Sequence, residues 1–282
     1  MNNNLKDVQK QSDTRGIDIQ KVGVNGVEVP LLVERKGQQS QLVSAKARMS
    51  VTLPHNYRGT HMSRFMEVLS EHSSKNTLGV DIKGLLYDIR NKLNSKAAHV
   101  KFDFKYFINK KAPVSEMVFP VGYDCSFQGD LDEDNYKFVL GVKVPITTLC
   151  PCSKEISKYS AHNQRTMVKV KISYSENDMI WLEDLIEKIE RCGSSQVYSI
   201  LKRSDEKYVT EKAYENPKFV EDVLRDVISF LREDERILFY EAEVEAQESI
   251  HNHNAWAYQS ETKTDETFGK SMDANQTITN GR

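Results

Sequence analysis

Much of the chain alternates apolar and polar residues with a period of two, a pattern typical of β-strands that bury one face. The first such stretch contains an Asn25-Gly26 pair, which favours a turn, so it predicts either one strand or a hairpin. The predicted strands are residues 17–33, 41–53, 99–107, 114–127, 136–149, 166–174, 237–249 and 253–259. Strands of this kind indicate sheets with one face against a core.

Other segments place their apolar residues at helical spacing. Met62, Phe65, Met66 and Leu69 recur at intervals of three and four residues, and they predict a helix that begins near residues 59–60. The other predicted helices are residues 81–95, 181–191 and 219–232, with a shorter helical stretch at 195–201. Each helix is expected to bury one apolar stripe against a sheet.

The order strand, strand, helix, helix, strand, strand occurs twice along the chain. We therefore predict an α+β protein of two ββααββ modules, residues 15–128 and 136–259, each an antiparallel sheet with helices on one face. The acidic stretch 129–135 separates them, and the polar, aperiodic residues 1–14 and 260–282 are expected to be a disordered arm and tail. Long strands with one uncovered face need a partner, so we expect oligomerisation into a barrel.

The composition argues against several broad classes of protein. The 282 residues are 39% hydrophobic and 28% charged with a formal net charge of −2, unlike a strongly basic nucleic-acid binder. No apolar run approaches the roughly 18 residues that span a bilayer, and the polar N-terminus lacks the apolar core of a signal peptide. Four unevenly placed cysteines do not resemble a secreted disulfide framework. We expect a cytoplasmic protein that binds neither nucleic acid nor membrane.

The most informative stretch is residues 147–165, TTLCPCSKEISKYSAHNQR. Cys150 and Cys152 follow directly on a predicted strand and His162 comes soon after, so thiols and an imidazole are available as metal ligands or nucleophiles. Two alternatives stay open, because cysteines often pack as small apolar side chains and Cys-Pro-Cys could form a tight turn. The C-x-C…H spacing fits no closed structural zinc motif.

A second candidate stretch is residues 245–257, EAQESIHNHNAWA. Alternation places Glu248 on the same face as Val244, where an unpaired carboxylate is costly to bury. If the strand continues, His251 and His253 share a face and offer two imidazoles to one metal ion. For His253, a polar surface loop is an equally good interpretation.

Glu206 and Glu221 lie in the carboxylate-rich stretch 202–221. Most carboxylates in such a run belong to solvated helix faces. Glu221 lies in the first turn of the helix predicted after Pro217, where its plainest role is to complement the helix dipole. Glu206 has no such local explanation.

The last candidate stretch is PHNYRGTHMSRF, residues 54–65. Arg58, His61 and Arg64 gather around the helix start predicted at Gly59. Positive side chains and free backbone amides at a helix N-terminus form an anion site, for which phosphate is the obvious ligand. The alternative is a solvated basic patch.

Together these stretches resemble the type IB family of GTP cyclohydrolase I, a branch of the tunnelling-fold superfamily. The matching motifs are RGIDIQKVGV, LPHNYRGTHMSRF, TTLCPCSKEIS, AHNQR, VTEKAYENPKFVED and ESIHNHNAWA, and the resemblance covers most of the chain. It implies tandem ββααββ modules in a homotetramer with active sites between subunits. It also implies opening of the guanine imidazole ring of GTP, with release of formate and formation of 7,8-dihydroneopterin triphosphate for folate-type pterin synthesis.

The resemblance further implies a metal centre and a guanine contact. Cys150, His162, Glu206 and His251 are the implied ligands of a divalent ion, which could be zinc, manganese or iron. Glu221 is the implied partner of the guanine edge, because one carboxylate can accept hydrogen bonds from N1–H and the 2-amino group.

Two further groups of residues take implied roles from the same resemblance. Glu248, Cys152 and His253 are the implied catalytic residues, beside the reacting carbon. The residues implied near the phosphates are His61, Arg64 and Arg58. Attack on the guanine ring requires a water molecule made acidic near neutral pH, which a divalent ion provides.

Two alternative functions remain at this point. One is the NADPH-dependent nitrile reductase of queuosine biosynthesis, which needs a nucleophilic cysteine and no metal. The metal-ligand pattern of His162, Glu206 and His251 argues against it. The other is a non-catalytic purine-binding scaffold, which should lack some of the candidate residues, whereas all are present here.

Overall fold

The protein, described by a computed structural model over residue 9, residues 11–75 and residues 78–263, forms two compact units. The first contains the chain up to Lys105 together with residues 126–139. The second contains residues 106–125 and the chain from Leu140 onward. Three long strands contribute a segment to each unit: β3 (Ala97–Lys111), β4 (Val118–Asp132) and β5 (Asn135–Leu149).

The first unit is a sheet in the order β1-β2-β3-β4-β5 with two helices. Its remaining elements are β1 (Ile19–Arg35), β2 (Gln38–Leu53), α1 (Met62–Ser74) and α2 (Ile82–Leu93). Helix α1 buries Phe65, Val68 and Leu69, and α2 buries Leu85 and Ile89, at the three- and four-residue spacing of one helix face. These faces pack against β1 and β2 respectively.

The second unit has the strand order β3-β4-β5-β6-β8-β9, with the short β7 paired to β5. Its strands are β6 (Asn163–Tyr174), β7 (Ser195–Gln196), β8 (Ile237–Ala246) and β9 (Ala255–Thr262). Its helices are α3 (Pro151–Ile156), α4 (Leu182–Arg191), α5 (Arg203–Glu215) and α6 (Val220–Glu233). Helix α6 packs against β8 and β9.

Strand β8 shows how the alternating pattern divides the two faces of the second sheet. Ala242 and Val244 are fully buried, while Glu243 between them lies beside Lys169 of β6, with Nζ 2.5 Å from Oε1. The apolar face holds the core, and the charged face carries cross-strand ion pairs that stabilise a sheet only slightly. The predicted α+β class, with antiparallel strands and helices on one face, is confirmed, but the described strands form one nine-stranded sheet and not two.

One local prediction is wrong. The stretch 195–201 is not helical, because Ser195 pairs with Thr147 of β5 and its carbonyl accepts a hydrogen bond from Thr147 Oγ1 at 3.0 Å. Of the two alternatives for the first stretch, the single strand is confirmed, since β1 continues through the Asn25-Gly26 pair. Gly26 has a φ of +76° at a register irregularity, so the pair forms a bulge in a strand rather than a turn.

Regular structure continues through the predicted boundary between the modules and past the predicted start of the tail. Residues 129–135 form the end of β4, a turn and the start of β5, and β9 extends to Thr262. The bounds 15–128 and 136–259 stay a prediction. Most of the predicted arm, and the predicted tail beyond 263, lie outside the described residues. No helix in the described part of the chain is long and apolar enough to cross a membrane.

Candidate active site

Cys150 and His162 face each other where β5 and β6 end. The β5–β6 ladder runs antiparallel as far as the pair Leu149 and Asn163. One residue further, the backbone N–H of Cys150 donates to the carbonyl oxygen of His162 at 3.0 Å. Directly opposed residues of an antiparallel pair hold their Cβ atoms roughly 4.5–5.5 Å apart, so the two side chains start from neighbouring backbone positions.

The Cys-Pro-Cys segment is a junction between a strand and a helix, and not merely a turn. Cys150 is the N-cap of α3, Pro151 occupies the first helical turn, and Cys150 Sγ accepts the backbone N–H of Ser153 at 3.4 Å. Ser153 Oγ in turn accepts the backbone N–H of His162 at 3.3 Å. These bonds fix the half-buried Cys150 thiol, while Cys152 is exposed on α3.

Glu248 approaches His162 from β8, the neighbouring strand on the other side of β6. The side chain of Glu248 is 12% exposed and that of His162 is 15% exposed, with His162 Nδ1 3.9 Å from Glu248 Oε2. Gln164 lies between the two, with Oε1 2.9 Å from His162 Nδ1 and Nε2 3.4 Å from Glu248 Oε1. A thiol, an imidazole and a carboxylate therefore lie along one end of the sheet.

His251 and His253 do not share a strand face, because the strand on which that expectation depended does not continue to them. Strand β8 ends at Ala246 and β9 begins at Ala255, and both histidines are exposed in the connection between them. The two rings stack, with centroids 5.2 Å apart.

Glu206 and Glu221 are both exposed in the first turns of helices α5 and α6. The far end of α5 lies beside α3, where Lys154 Nζ donates to the carbonyl oxygen of Tyr214 at 2.6 Å. Glu206 precedes Tyr214 by more than two turns, or about 12 Å along the helix axis. Glu206 therefore lies more than two turns of α5 away from the contact between α5 and α3.

Asp205, which the sequence analysis did not single out, is the buried carboxylate of α5. Its Oδ1 accepts the backbone N–H groups of Val114 and Ser115 at 2.8 Å each, and its Oδ2 accepts Ser115 Oγ at 2.6 Å and Lys202 N at 2.8 Å. Burial raises the pKa of Asp205, but the hydrogen bonds from Ser115, Lys202 and Val114 outweigh it and hold that pKa below its usual value. Its position three residues into the helix, reaching back to the N-cap amide, was the available sequence signal.

Arg58, His61 and Arg64 belong to the first unit. The helix begins at Met62 with His61 as N-cap, and the backbone amides of Arg58 and Gly59 donate to Gln11 and Gln9 carbonyls at 2.9 and 3.2 Å. The expectation of free amides at residue 59 is therefore wrong. Arg64 Nη1 donates to the carbonyl oxygen of Lys92 at 3.3 Å.

Among the residues that the structure describes, no three or more His, Cys, Asp and Glu side chains converge as a metal site would require. His162 lies opposite Cys150 through a backbone hydrogen bond and 3.9 Å from the Glu248 carboxylate, and in the described part of the chain neither Glu206 nor His251 forms a hydrogen bond or ion pair with these residues.

The sequence was compared with known families, curated proteins and solved structures. The sequence model described as "Type I GTP cyclohydrolase folE2" matches residues 5–257. GTP cyclohydrolase FolE2 of Geotalea uraniireducens is 49% identical over 253 residues, covering 90% of this chain and 92% of that protein. GTP cyclohydrolase FolE2 of Geobacter metallireducens is 48% identical over 254 residues, covering 90% of this chain and 95% of that protein.

Structural likeness extends to more distant proteins. Uricase of Arthrobacter globiformis matches with a TM-score of 0.52 and 6% identity, covering 87% of this chain and 94% of that one. At such low identity the match concerns the fold alone, and it agrees with the tunnelling fold expected from the sequence. The sequence matches over nine-tenths of the chain carry the assignment: the chain belongs to the FolE2 family of type I GTP cyclohydrolases, the type IB branch.

Proposed function

We propose that this GTP cyclohydrolase opens the guanine imidazole ring at the end of β5 and β6 with the help of a divalent metal ion, releasing formate and forming 7,8-dihydroneopterin triphosphate. The carrying observation is the opposition of Cys150 and His162 across the strand ends, with Glu248 3.9 Å from the imidazole. The Cys150 thiol, the His162 imidazole and the Glu248 carboxylate lie along this end of the sheet.

The residues at this end of the sheet fit a metal ion by their donor chemistry. Cys150 and His162 are the first two proposed ligands, and thiolate with imidazole suits zinc while tolerating iron or manganese when carboxylate is added. Glu206 and His251 are the proposed remaining ligands. When bound, the ion makes a water molecule acidic near neutral pH.

The proposed ligand set is completed by assembly. Glu206 lies more than two helical turns from the part of α5 that contacts α3, and His251 is exposed in the β8–β9 connection. Both are available to a neighbouring copy of the chain. We therefore infer a homotetramer, arranged as a barrel, whose active sites lie between subunits.

Glu248 is the proposed proton carrier at the reacting carbon. Its side chain is mostly buried beside His162, which keeps bulk water away from a carboxylate that must accept and return protons. Cys152 and His253 are the other proposed catalytic residues, and both are exposed to an incoming nucleotide.

Glu221 is the proposed guanine contact, and Arg58, His61 and Arg64 are the proposed phosphate contacts. An exposed carboxylate in the first turn of α6 can accept N1–H and the 2-amino group in parallel. Arg58, His61 and Arg64 supply positive charge and an imidazole near one helix start for the triphosphate.

The direct test incubates chelator-treated protein with GTP, with and without added Zn²⁺ or Mn²⁺, and measures formate and the fluorescence of oxidised neopterin. We expect product only after metal is returned. Formation of product at the full rate in the metal-free protein would overturn the metal dependence. Oxidation of NADPH with a nitrile substrate, in protein that makes no formate, would favour the reductase.

A further inference from the structure

Gln164 occupies the centre of a row of polar side chains that crosses three strands. It pairs directly with Thr148 of β5. On its other side, Thr166 pairs with Ala246 and the backbone N–H of Gln247 donates to the carbonyl of Arg165 at 2.9 Å. Continuing that register by one residue places Glu248 beside Gln164.

The hydrogen bonds of this row set the orientation of the Gln164 amide. A carboxylate only accepts hydrogen bonds, so the amide presents its Nε2 to Glu248 Oε1 at 3.4 Å. The same Nε2 donates to Thr148 Oγ1 at 3.2 Å, which leaves the hydroxyl hydrogen of Thr148 for Thr166 Oγ1 at 2.7 Å. Both threonines are buried, so the row is held in place by the core.

The carbonyl end of the same amide then determines the state of His162. Gln164 Oε1 is an acceptor, and it lies 2.9 Å from His162 Nδ1, so Nδ1 must carry a hydrogen. In a neutral imidazole the other nitrogen, Nε2, then bears the lone pair. Nε2 is the nitrogen that remains to bind a metal ion.

We propose that Gln164 is a positioning residue with two linked tasks: its carbonyl fixes His162 as the Nδ1–H tautomer, and its amide N–H groups hold Glu248. This inference rests on the proposed function, because it gives His162 the role of a metal ligand. An outer hydrogen bond of this kind orients a ligand and raises its basicity. Here one side chain serves both the ligand and the proton carrier.

Two substitutions of Gln164 distinguish its two tasks. Gln164→Leu removes acceptor and donors together, so it should weaken metal binding and turnover. Gln164→Glu keeps an acceptor for His162 Nδ1 but replaces the donors with a second carboxylate beside Glu248. It should keep the metal affinity and lose turnover, because like charges repel and Glu248 loses its partner. Gln247→Leu, at an exposed glutamine next to Glu248 in the chain, is the matched control.

The experiment uses the full chain and three measurements. Zn²⁺ affinity is measured by competition with a chelator, and we expect a loss of about 10–100-fold in Gln164→Leu and little change in the other two variants. Formate release at saturating metal should fall by about two orders of magnitude in Gln164→Glu, with the KM for GTP unchanged. Nitrogen-15 NMR of histidine-labelled, metal-free protein should show the Nδ1–H tautomer of His162 in wild type and its loss in Gln164→Leu.

Several results would overturn the proposal. Wild-type metal affinity in a folded Gln164→Leu variant would do so, as would full turnover in Gln164→Glu. If Gln164→Leu does not fold, the Gln164→Glu variant still decides. The NMR measurement distinguishes failure of this proposal from failure of the proposed function. If the wild type is inactive but shows the Gln164-dependent tautomer, the cyclohydrolase site is refuted and the positioning role is not. If the wild type is active but His162 is the Nε2–H tautomer, only the positioning role is refuted.

Discussion

The backbone N–H of Lys218 donates to the carbonyl oxygen of Leu149 at 3.0 Å. Leu149 directly precedes Cys150, and Lys218 lies two residues before the start of α6. This single bond ties the helix that carries Glu221 to the strand end that carries the proposed metal ligand. The proposed guanine contact and the proposed reacting centre are thus held together by backbone, independently of side-chain packing.

Glu221→Gln should weaken GTP binding by about tenfold or more, because a hydrogen bond to a charged group contributes roughly 1.5–3 kcal/mol. The measurement is the Kd of GTP in metal-free protein. Glu233→Gln, at the opposite end of the same helix, is the control and should bind as wild type. Equal affinity of both variants would return Glu221 to the role of a helix-dipole partner.

Cys150→Ala should abolish stoichiometric metal binding, since its thiol is fixed beside His162 by the α3 cap. Cys152→Ala should retain the metal and lose turnover. Metal content by mass spectrometry and formate release distinguish the two variants. The opposite pattern, with metal retained in Cys150→Ala and lost in Cys152→Ala, would show that the ligand is Cys152.

Asp205 and Glu206 are adjacent, but their substitutions should have different effects. Asp205→Ala leaves the backbone amides of Val114 and Ser115 without the acceptor they have on the buried Asp205 side chain, so it should lower the melting temperature of the metal-free protein. Glu206→Gln should leave that temperature unchanged and weaken Zn²⁺ binding by about tenfold or more. Differential scanning calorimetry and chelator competition measure these effects. An unchanged melting temperature in Asp205→Ala would contradict the expectation that the hydrogen bonds of Asp205 stabilise the protein by joining α5 to the β3–β4 loop.

Asp130 should give the protein an acid-sensitive contribution to stability. Burial raises the pKa of Asp130, but hydrogen bonds from His99 and Gln128 lower it to about 2, from an ordinary 3.8. Because the folded pKa is depressed, the contribution is present above pH ~4 and is lost as pH falls toward 2. Solvent screening limits the contribution of Asp130 to the free energy of unfolding to about 1 kcal/mol.

Asp130→Asn tests that contribution through urea unfolding between pH 7 and pH 2. The free energy of unfolding of the variant should be about 1 kcal/mol lower than that of wild type at pH 7, and it should fall less steeply below pH 4. Asp132→Asn, exposed at the end of the same strand, is the control. Identical acid profiles for wild type and Asp130→Asn would refute the expectation.

Local patterning predicted the secondary structure well where each element follows its own periodicity. The alternation of β8 placed Val244 and Glu243 on opposite faces, and the helical spacing of Phe65 and Leu69 marked α1. Prediction was wrong where a distant contact decided the outcome. Ser195 lies in a strand because Thr147 pairs with it, and no feature of residues 195–201 reports that partner.

The sequence by itself determined the class of the fold, the family and the chemical types of the candidate residues, because periodicity and contiguous motifs are local properties. Only the tertiary structure decided which of those residues meet. Cys150 lies opposite His162, and Glu248 lies 3.9 Å from His162, because the β5–β6 and β6–β8 registers align their strand ends. A register is fixed by hydrogen bonds between segments far apart in the chain, and a shift of one residue would turn every side chain to the other face. Nothing in the motif AHNQR marks Gln164 as important, because its hydrogen bonds to His162 and Glu248 depend on that alignment.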